Sequence, residues 1–482
     1  MPQWLGRYRL IFLLAAITAV SLLVFAACDD DEEDTGDGET PAAGETPADG
    51  GEIVQPTLPL KIGYIISFTG DLGDFGVPHE NSAKLAVDEI NAAGGVAGQL
   101  IEYEPIVLAG APGQGGADDP ALGVEGEPLE LVTADDATDP NQGVTEATRL
   151  IEVEGVDFIL GSLSSGVSLQ IAESVTGPSN VLQISGASSA PSLTHANDND
   201  FLFRTPIHDT AQGAVLSKLA TDRGIETVCN MYVNNAYGEG LSDAFTENFE
   251  AAGGTITAAV PHEEELPTYE SELTTCTADG PQAMAAIAYP ESAGQFLRET
   301  VEKDFVGDVL FVDGTKSPKM LDQLGWENFD GMVGTAPGTL SPLEAGDVFD
   351  AAYEAAYGEP AGELPYMRDT YDAVYLMALA ASKSLADGID IREALREVAN
   401  PEGEVVSVGS ESYAAAIDFI ANGQDINYEG ASGPVDLDAN GDVLIGAVET
   451  YHVDAATETF VTDVVYKVDL NTNEVTALPA PE

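Results

Sequence analysis

Cysteine, histidine and the basic residues are all scarce in this chain of 482 residues. Three cysteines are too few for a small disulfide-framework scaffold or for a cysteine-rich zinc site. The five histidines are scattered, and no two of them stand at the helical spacing of a metal site. We therefore predict no bound metal and no cofactor.

Positive charge is scarce in the extreme. The chain has 17 Lys and Arg residues against 83 Asp and Glu residues, so its formal net charge is −66. A negative field repels nucleic acid. The simplest interpretation of the many acidic residues is a solvated surface suited to a salty medium. The GxSxG, HExxH, CxxC and GxxxxGKS/T motifs are also missing from the sequence, so nothing in it predicts an enzyme.

The first 27 residues have the layout of a secretory signal. Arg7 and Arg9 precede an apolar run from Leu10 to Ala27. The run ends in Val-Phe-Ala-Ala before Cys28, which resembles a bacterial lipobox, although Phe25 departs from the usual Leu or Val. We predict a lipoprotein signal peptide over residues 1–27 and a lipid on Cys28. An uncleaved anchor and ordinary secretion are the alternatives.

An acidic stretch follows the predicted lipidation site. From Asp29 to about Gln55 the chain has neither an aromatic nor a basic residue. Such a segment cannot bury enough apolar surface to fold, so we predict a disordered tether over residues 28–56. A lipid and a tether would hold the folded part at the extracytoplasmic face of a membrane.

After Pro59 short apolar runs alternate with amphipathic stretches. The first of these stretches, Pro78–Asn91, has apolar residues at helical spacing. This alternation predicts an α/β fold of open, mostly parallel sheets that are covered on both faces. The predicted strands are Lys61–Phe68, Leu129–Ala134, Val156–Leu160, Val181–Ser185, Thr227–Val233, Thr255–Val260, Ala283–Tyr289 and Val309–Asp313.

One strand–turn–helix unit occurs twice. Its turn is Asp74–Gly76 in the first copy and Ala236–Gly238 in the second, about 160 residues later. Each turn presents an aromatic residue beside a glycine at the carboxyl end of a strand, where open α/β sheets bind ligands. Two such openings predict two similar lobes around a cleft. The alternative is chance repetition of a common design.

A series of motifs, in a fixed order, covers nearly all of the chain after the tether. Between about Lys61 and Val468 they are KIGYIISFTGDLGDFG, NSAKLAVDEINAAGG, VTADDATDPNQGVTEATRLI, ILGSLSSG, ISGASSAPSL, FRTP, VNNAYGEG and TYDAVYLMALA. Together they resemble the leucine/isoleucine/valine-binding protein family, the type I periplasmic solute-binding proteins of ABC importers. Against that pattern, Ala109–Asp119 looks like an insertion.

The resemblance implies a type I periplasmic-binding-protein fold, with two doubly wound parallel-sheet lobes joined by three hinge strands. It places lobe 1 at residues 57–205 and 337–435 and lobe 2 at residues 206–336 and 436–470, and it leaves residues 471–482 as a C-terminal tail. It implies a monomeric binding protein that captures an amino acid of branched-chain type and delivers it to an ABC permease. A ligand-sensing receptor subunit, or a binder of an amide or carboxylic acid, is the alternative.

The resemblance also assigns residues to the carboxylate of an amino acid. Ser165, in the GSLSSG turn, would bind the carboxylate, and hydroxyls and helix N–H groups suit an anion there. The Ala187 backbone and the Ser189 hydroxyl would be further ligand contacts. The alternatives are a helix N-cap for Ser165 and a polar strand-end turn for the other two.

Aromatic residues and one acid complete the implied site. Phe75, Tyr237 and Tyr289 match family positions whose rings flank the ligand, although core packing is the ordinary role of such residues. Direct register places Thr315 at the position of the family's acidic residue, and Asp313 is the nearest carboxylate. Because a charged acceptor binds ammonium more strongly than a neutral one, we predict Asp313.

Two further features stay open at this point. Cys229 and Cys276 both fall in the implied lobe 2, where a disulfide and two inert thiols are the alternatives. Residues 436–442, DLDANGD, begin like a calcium loop, but position twelve is Ala447 rather than Glu. We predict a hairpin turn there.

Overall fold

The computed structural model describes residues 53–96, 126–340, 344–358, 360–361, 364–400 and 402–479. The predicted signal peptide, Cys28, nearly all of the predicted tether and the predicted insertion Ala109–Asp119 lie outside the described residues. Within these ranges, no helix has both the length and the apolar character needed to cross a bilayer.

Strands and helices alternate along most of the described chain. The strands are β1 (Lys61–Ile66), β2 (Glu130–Asp135), β3 (Phe158–Leu160), β4 (Leu182–Ser185), β5 (Leu202–Arg204), β6 (Thr227–Val233), β7 (Thr255–His262), β8 (Ala283–Ile287), β9 (Val309–Phe311), β10 (Val333–Pro337), β11 (Glu404–Val406), β12 (Ile426–Tyr428), β13 (Ile445–Asp454), β14 (Thr459–Asp469) and β15 (Glu474–Ala477). The helices are α1 (Gly73–Ala92), α2 (Pro140–Arg149), α3 (Ser165–Ile171), α4 (Gly177–Ser179), α5 (Asp209–Asp222), α6 (Ala236–Ala251), α7 (Glu270–Cys276), α8 (Pro290–Lys303), α9 (Pro318–Leu324), α10 (Glu344–Tyr357), α11 (Met367–Asp387), α12 (Ile391–Ala399) and α13 (Ser410–Ala421).

The first sheet is parallel throughout, in the order β2-β1-β3-β4-β5. In β1, Ile62 and Tyr64 pack into the cluster that contains α1 and α11, whereas Ile65 packs against α2 and α3. Successive side chains of a strand point to opposite faces, so both faces of this sheet are covered and β1 is apolar almost without interruption. We call this sheet and its flanking helices the first lobe.

The second sheet has eight strands in the order β15-β14-β13-β10-β9-β8-β6-β7. The strands from β10 to β7 are parallel, and β13, β14 and β15 extend the sheet in antiparallel fashion. We call this sheet and its helices the second lobe. The chain passes between the two lobes three times, after β5, after β10 and before β13. The doubly wound α/β prediction is confirmed.

Several predicted boundaries differ from the structure. Helix α1 begins at Gly73, so Pro78 lies inside it rather than near its start. Pro78 has no backbone N–H to donate, but it lies in the second turn of α1, where few intrahelical hydrogen bonds precede it. The stretch from residue 471, predicted as a tail, contains β15, which pairs with β14 while Val475 packs against the sheet's apolar cluster. That part of the prediction is wrong.

The two open features have structural answers. Cys229 in β6 and Cys276 at the end of α7 form a disulfide with Cα atoms 5.6 Å apart, and both side chains are fully buried. In the stretch 436–442, an antiparallel bridge joins Leu437 to Val443, as expected of a hairpin turn. Asp442 there is paired with Arg204, and among the described residues no group of three or more metal-ligating side chains converges.

Candidate ligand-binding site

The carboxyl ends of the strands of both lobes carry the predicted site residues. In the first lobe, Ser165 opens α3 after β3, and residues 186–190 follow β4. In the second lobe, Tyr237 lies in the first turn of α6, and Tyr289 directly precedes α8. Loops at the ends of parallel strands are short and rigidly held, so the topology brings these side chains to one cleft.

Ser165 is held in a fixed orientation by the loop after β4. Its Oγ accepts hydrogen bonds from the backbone N–H groups of Ser189 and Ala190, each at 3.2 Å. Because the hydroxyl oxygen acts as acceptor in both bonds, its proton remains to be donated elsewhere. Ser165 is 2 % exposed. The structure thus joins two of the predicted ligand contacts, Ser165 and Ser189, directly.

The two tyrosines of the second lobe form a stack. The rings of Tyr237 and Tyr289 lie 5.2 Å apart at 12°. The Tyr289 hydroxyl lies 3.4 Å from the Ser164 hydroxyl, and Asn235 Nδ2 approaches the same hydroxyl at 3.4 Å. Since Ser164 belongs to the first lobe, Tyr289 is in contact with both lobes.

Asp313 is the centre of a buried hydrogen-bond cluster. The Tyr237 hydroxyl and Gln212 Nε2 donate to its Oδ1 at 2.7 and 2.8 Å, and the Tyr366 hydroxyl donates to its Oδ2 at 2.8 Å. Thr315 is engaged with backbone groups instead, among them the N–H of Val312 at 2.9 Å. Of the two candidates, Asp313 is therefore the one whose side chain contacts a predicted site tyrosine, Tyr237.

A second carboxylate lies beside this cluster. Asp209 is the first residue of α5 and is completely buried, and neither of its carboxylate oxygens has a hydrogen-bond partner of good geometry. Gln212, three residues later and therefore on the same helix face, is the residue that reaches Asp313. Two buried acids, from α5 and from the turn after β9, thus lie close enough for their charges to interact.

The electrostatics of this pair follow from burial. Loss of water raises the pKa of the Asp313 carboxyl, although its three side-chain donors lower it. The pKa of Asp209 is raised well above its usual range, first by burial and then by the charge of Asp313, and the neighbouring Ser189 hydroxyl offsets part of this effect. Both carboxylates would be stabilised by a cation placed between them.

Phe75 and Ala187 occupy the margins of this arrangement. Phe75 is buried in the first turn of α1 and stacks on His79 with ring centroids 6.1 Å apart. Ala187, 6 % exposed, follows Ser185, whose hydroxyl accepts its N–H at 3.3 Å. Neither residue belongs to the hydrogen-bond cluster around Asp313.

Three residues of the cluster were missed by the sequence analysis: Asp209, Gln212 and Tyr366. Asp209 and Gln212 follow the FRTP motif closely, and a polar pair three residues apart at the start of a helix was the available signal. Tyr366 precedes the TYDAVYLMALA helix and has a φ of +66°, a backbone conformation that a bulky residue adopts only where its surroundings impose it. The sequence contained no sign of that conformation.

Two α/β lobes with a buried polar site at facing strand ends define a hinged small-molecule binding protein. The chain belongs to the periplasmic binding protein family, which matches residues 59–456. Its members are substrate-binding proteins, and membership implies an extracytoplasmic location.

Curated relatives agree with this assignment. A chemotactic signal transduction system substrate-binding protein, BasB of Halobacterium salinarum, is 26% identical over 411 residues, which cover 83% of this chain and 89% of the relative. A leucine-, isoleucine-, valine-, threonine- and alanine-binding protein of Pseudomonas aeruginosa is 27% identical over 319 residues, or 65% of this chain and 84% of the relative.

Solved structures share the fold. The leucine-binding protein LivK of Thermotoga maritima has a TM-score of 0.65 at 22% identity, covering 84% of this chain and 98% of that one. LivJ of Streptococcus pneumoniae, solved in complex with isoleucine, has a TM-score of 0.63 at 20% identity, covering 87% and 99%. The prediction of a type I periplasmic-binding-protein fold is confirmed.

Proposed function

We propose that this protein captures an α-amino acid between its lobes and delivers it to an ABC permease. The observation that carries the proposal is the pair of buried carboxylates, Asp209 and Asp313, of which Asp209 has no hydrogen-bond partner of good geometry. Buried charge of one sign is costly unless a counter-charge is present. An α-ammonium group between the two acids supplies that charge and three donors.

The opposite end of the ligand would meet the first lobe. Ser165 has a hydroxyl proton to donate, because its oxygen is already occupied by two backbone N–H groups. We assign the ligand carboxylate to Ser165, with the Ala187 backbone and the Ser189 hydroxyl as further contacts. Tyr237, Tyr289 and Phe75 would flank the ligand and exclude water from its charges.

The amino-acid class is supported by the relatives. The Pseudomonas aeruginosa relative is a leucine-, isoleucine-, valine-, threonine- and alanine-binding protein, and the Escherichia coli Leu/Ile/Val-binding protein is 24% identical over 329 residues. Their names favour a branched-chain amino acid. A carboxylic acid without an ammonium group would leave Asp209 and Asp313 unneutralised.

The mechanism would be closure of the lobes over the ligand. Tyr366 and Ser164 belong to the first lobe, whereas Asp313 and Tyr289 belong to the second, so the bonds between these pairs exist only when the cleft is shut. A ligand stabilises the closed form through contacts that the open form lacks. We propose hinges near the predicted lobe boundaries at residues 205, 336 and 435, and a closed monomer that docks on the permease.

The location at the membrane would come from the N-terminal region. We propose cleavage of a lipoprotein signal peptide before Cys28, lipidation of that cysteine and a tether up to residue 56. Mass spectrometry of protein from the membrane fraction tests this, because it distinguishes a diacylated Cys28 from an uncleaved N-terminus. An unmodified, soluble product that starts elsewhere would refute the anchor.

Calorimetric titration tests the binding proposal. Leucine should bind, and 4-methylvalerate, which is leucine without its ammonium group, should bind at least about 100-fold more weakly. Asp209→Asn and Ser165→Ala should each weaken leucine binding, whereas the exposed Asp243→Asn serves as the matched control and should not. Binding of 4-methylvalerate as tight as that of amino acids would refute the ammonium site.

Sensing is a second candidate function, favoured by one observation. BasB, which matches most of this chain, is a substrate-binding protein of a chemotactic signal transduction system. Disruption of the gene separates the two roles. Loss of amino-acid uptake indicates transport, whereas normal uptake with loss of chemotaxis towards the same amino acid indicates sensing.

A further inference from the structure

Two adjoining cavities lie at the mouth of the cleft. One has a volume of about 450 Å³ and the other about 580 Å³, and both are lined by Thr69, Gly70 and Glu265. Residues of the first lobe line one side and residues of the second lobe the other. We call the two cavities together the acidic chamber.

The chamber is lined by carboxylates from both lobes. Lys319 is the one lysine or arginine among its described lining residues, and it is already paired with Asp74. His262 also lines the chamber, but burial lowers its pKa to about 4, so it adds no positive charge near neutral pH. The remaining acids of the lining are Asp71, Asp139, Glu263, Glu264, Glu265 and Glu291. Closure of the lobes therefore brings acids together without a cation of the protein to neutralise them.

Asp71 is the acid in this set that has lost its water. It is 0 % exposed, it lines the smaller cavity, and neither carboxylate oxygen has a hydrogen-bond partner of good geometry. The nearby Ser292 hydroxyl donates to the Tyr289 carbonyl at 3.3 Å. Contacts from the Ser292 hydroxyl and backbone N–H offset part of the rise in the pKa of Asp71, and a further donor from outside the protein would stabilise the buried carboxylate.

Glu264 connects the chamber to the binding site. Asn235 Nδ2 donates to Glu264 Oε1 at 3.2 Å and also approaches the Tyr289 hydroxyl at 3.4 Å. Ser164 lines the chamber, and its neighbour Ser165 belongs to the binding site. Asn235 and Ser164 thus line the chamber and also contact the Tyr289 hydroxyl of the proposed site.

The chemistry of the lining limits what can occupy the chamber. Its acids come from several segments of the chain, and no group of three or more ligating side chains among the described residues is placed to hold a metal ion. An anion is excluded by charge, and an apolar side chain would leave the buried Asp71 without a further donor. An organic ammonium or guanidinium group supplies both charge and hydrogen-bond donors.

We propose that the acidic chamber binds a second cationic group of the ligand, so that the ligand class is the basic α-amino acids. This inference rests on the proposed function, since the α-ammonium and carboxylate groups remain bound by the main site. The inference changes the expected side chain of the ligand from a branched apolar one to a long cationic one.

The titration behaviour of the chamber agrees with this assignment. Burial raises the pKa of Asp71 to about 6 and that of Glu264 to about 8. The charge of Asp71 adds to the rise for Glu264, and the charges of Glu265 and Glu291 add to the rise for Asp71. Without a cation, the carboxylates of the closed chamber must either take up protons or repel one another. A ligand cation removes both requirements.

Lysine and norleucine provide the test, because norleucine has the same chain without the second ammonium group. The full chain is titrated calorimetrically with each amino acid at about 0.1 M and about 1 M salt. Lysine should bind at least about tenfold more tightly than norleucine. The ratio of lysine affinity to norleucine affinity should fall in the double variant Glu264→Gln with Asp71→Asn. It should persist in the control variant Glu302→Gln, because Glu302 is an exposed acid of α8 outside the chamber.

The outcomes separate this inference from the proposed function. Equal binding of lysine and norleucine to the wild-type protein overturns the chamber assignment and leaves amino-acid binding intact. Binding of no amino acid, leucine included, overturns both. Loss of lysine preference in the double variant, with norleucine affinity and thermal stability retained, supports the chamber.

Discussion

Removal of one hydroxyl group, in Tyr366→Phe, tests whether the lobes close around Asp313. The Tyr366 hydroxyl donates to Asp313 Oδ2 at 2.8 Å, and Tyr366 is 7 % exposed. The donor belongs to the first lobe and the acceptor to the second, so the bond is lost on opening. The substitution removes it without opening a cavity larger than one oxygen atom.

The expected loss follows from the partner's charge. A hydrogen bond to a charged group contributes about 1.5–3 kcal/mol, which corresponds to about a tenfold to 150-fold loss of affinity. Because the bond stabilises only the closed form, the loss should appear in leucine affinity, while the thermal unfolding midpoint of the unliganded protein should change little. At leucine concentrations well below saturation, the fraction of closed molecules should fall by the same factor.

Calorimetry with leucine measures the affinity, and small-angle scattering measures compaction. Tyr357→Phe is the matched control, because its hydroxyl donates to the carbonyl of Asn81 at 3.0 Å within the first lobe. That variant should keep its leucine affinity. If Tyr366→Phe binds leucine within about twofold of the wild-type protein and compacts equally, the hydrogen bond does not couple closure to binding.

Three further predictions concern stability. Replacement of Cys229 and Cys276 by Ala opens a loop with a sequence separation of 47 residues, for which chain entropy predicts a loss of about 4 kcal/mol; an unchanged denaturant midpoint would refute it. Arg204→Met leaves Asp442 buried without its ion-pair partner, so it should cost about 3–5 kcal/mol, and Arg204→Met with Asp442→Asn should recover part of this in denaturant unfolding. Burial raises the pKa of Glu264 to about 8, so the folded chain holds a proton that the unfolded chain releases, and stability falls as pH rises from about 4.5 to 8. Glu264→Gln should therefore be most stabilising, relative to the wild type, at the upper end of that range; a thermal-shift difference that does not vary with pH would contradict this.

Local patterns in the sequence predicted most of the sheet framework. The strand Thr227–Val233 was predicted to the residue, and the other predicted strands differ from the structure by a few residues at their ends. The buried alternation of β1 and the helical period of α1 are properties of consecutive residues, so they are visible without tertiary structure. The family resemblance added the order of the lobes and the predicted positions of the site loops.

Such local patterns could not predict contacts between residues that are far apart in the sequence. Asp313 receives hydrogen bonds from Gln212 and Tyr366, which lie 101 and 53 residues away. Register along a three-residue strand such as β9 is set by its neighbours in the sheet, so the choice between Asp313 and Thr315 could not be made from sequence spacing. The same holds for the disulfide, because spacing alone does not define the direction of the two Cβ atoms.

The sequence by itself determined the α/β class and the absence of recognisable catalytic motifs, because these depend on residue type and local period, and its family resemblance predicted the loops that would contact a ligand. Tertiary structure alone decided which carboxylates converge, which of them lacks a partner and how the acids of the two lobes face each other. Those properties depend on desolvation and on distances across the closed cleft, which arise only when both lobes are packed.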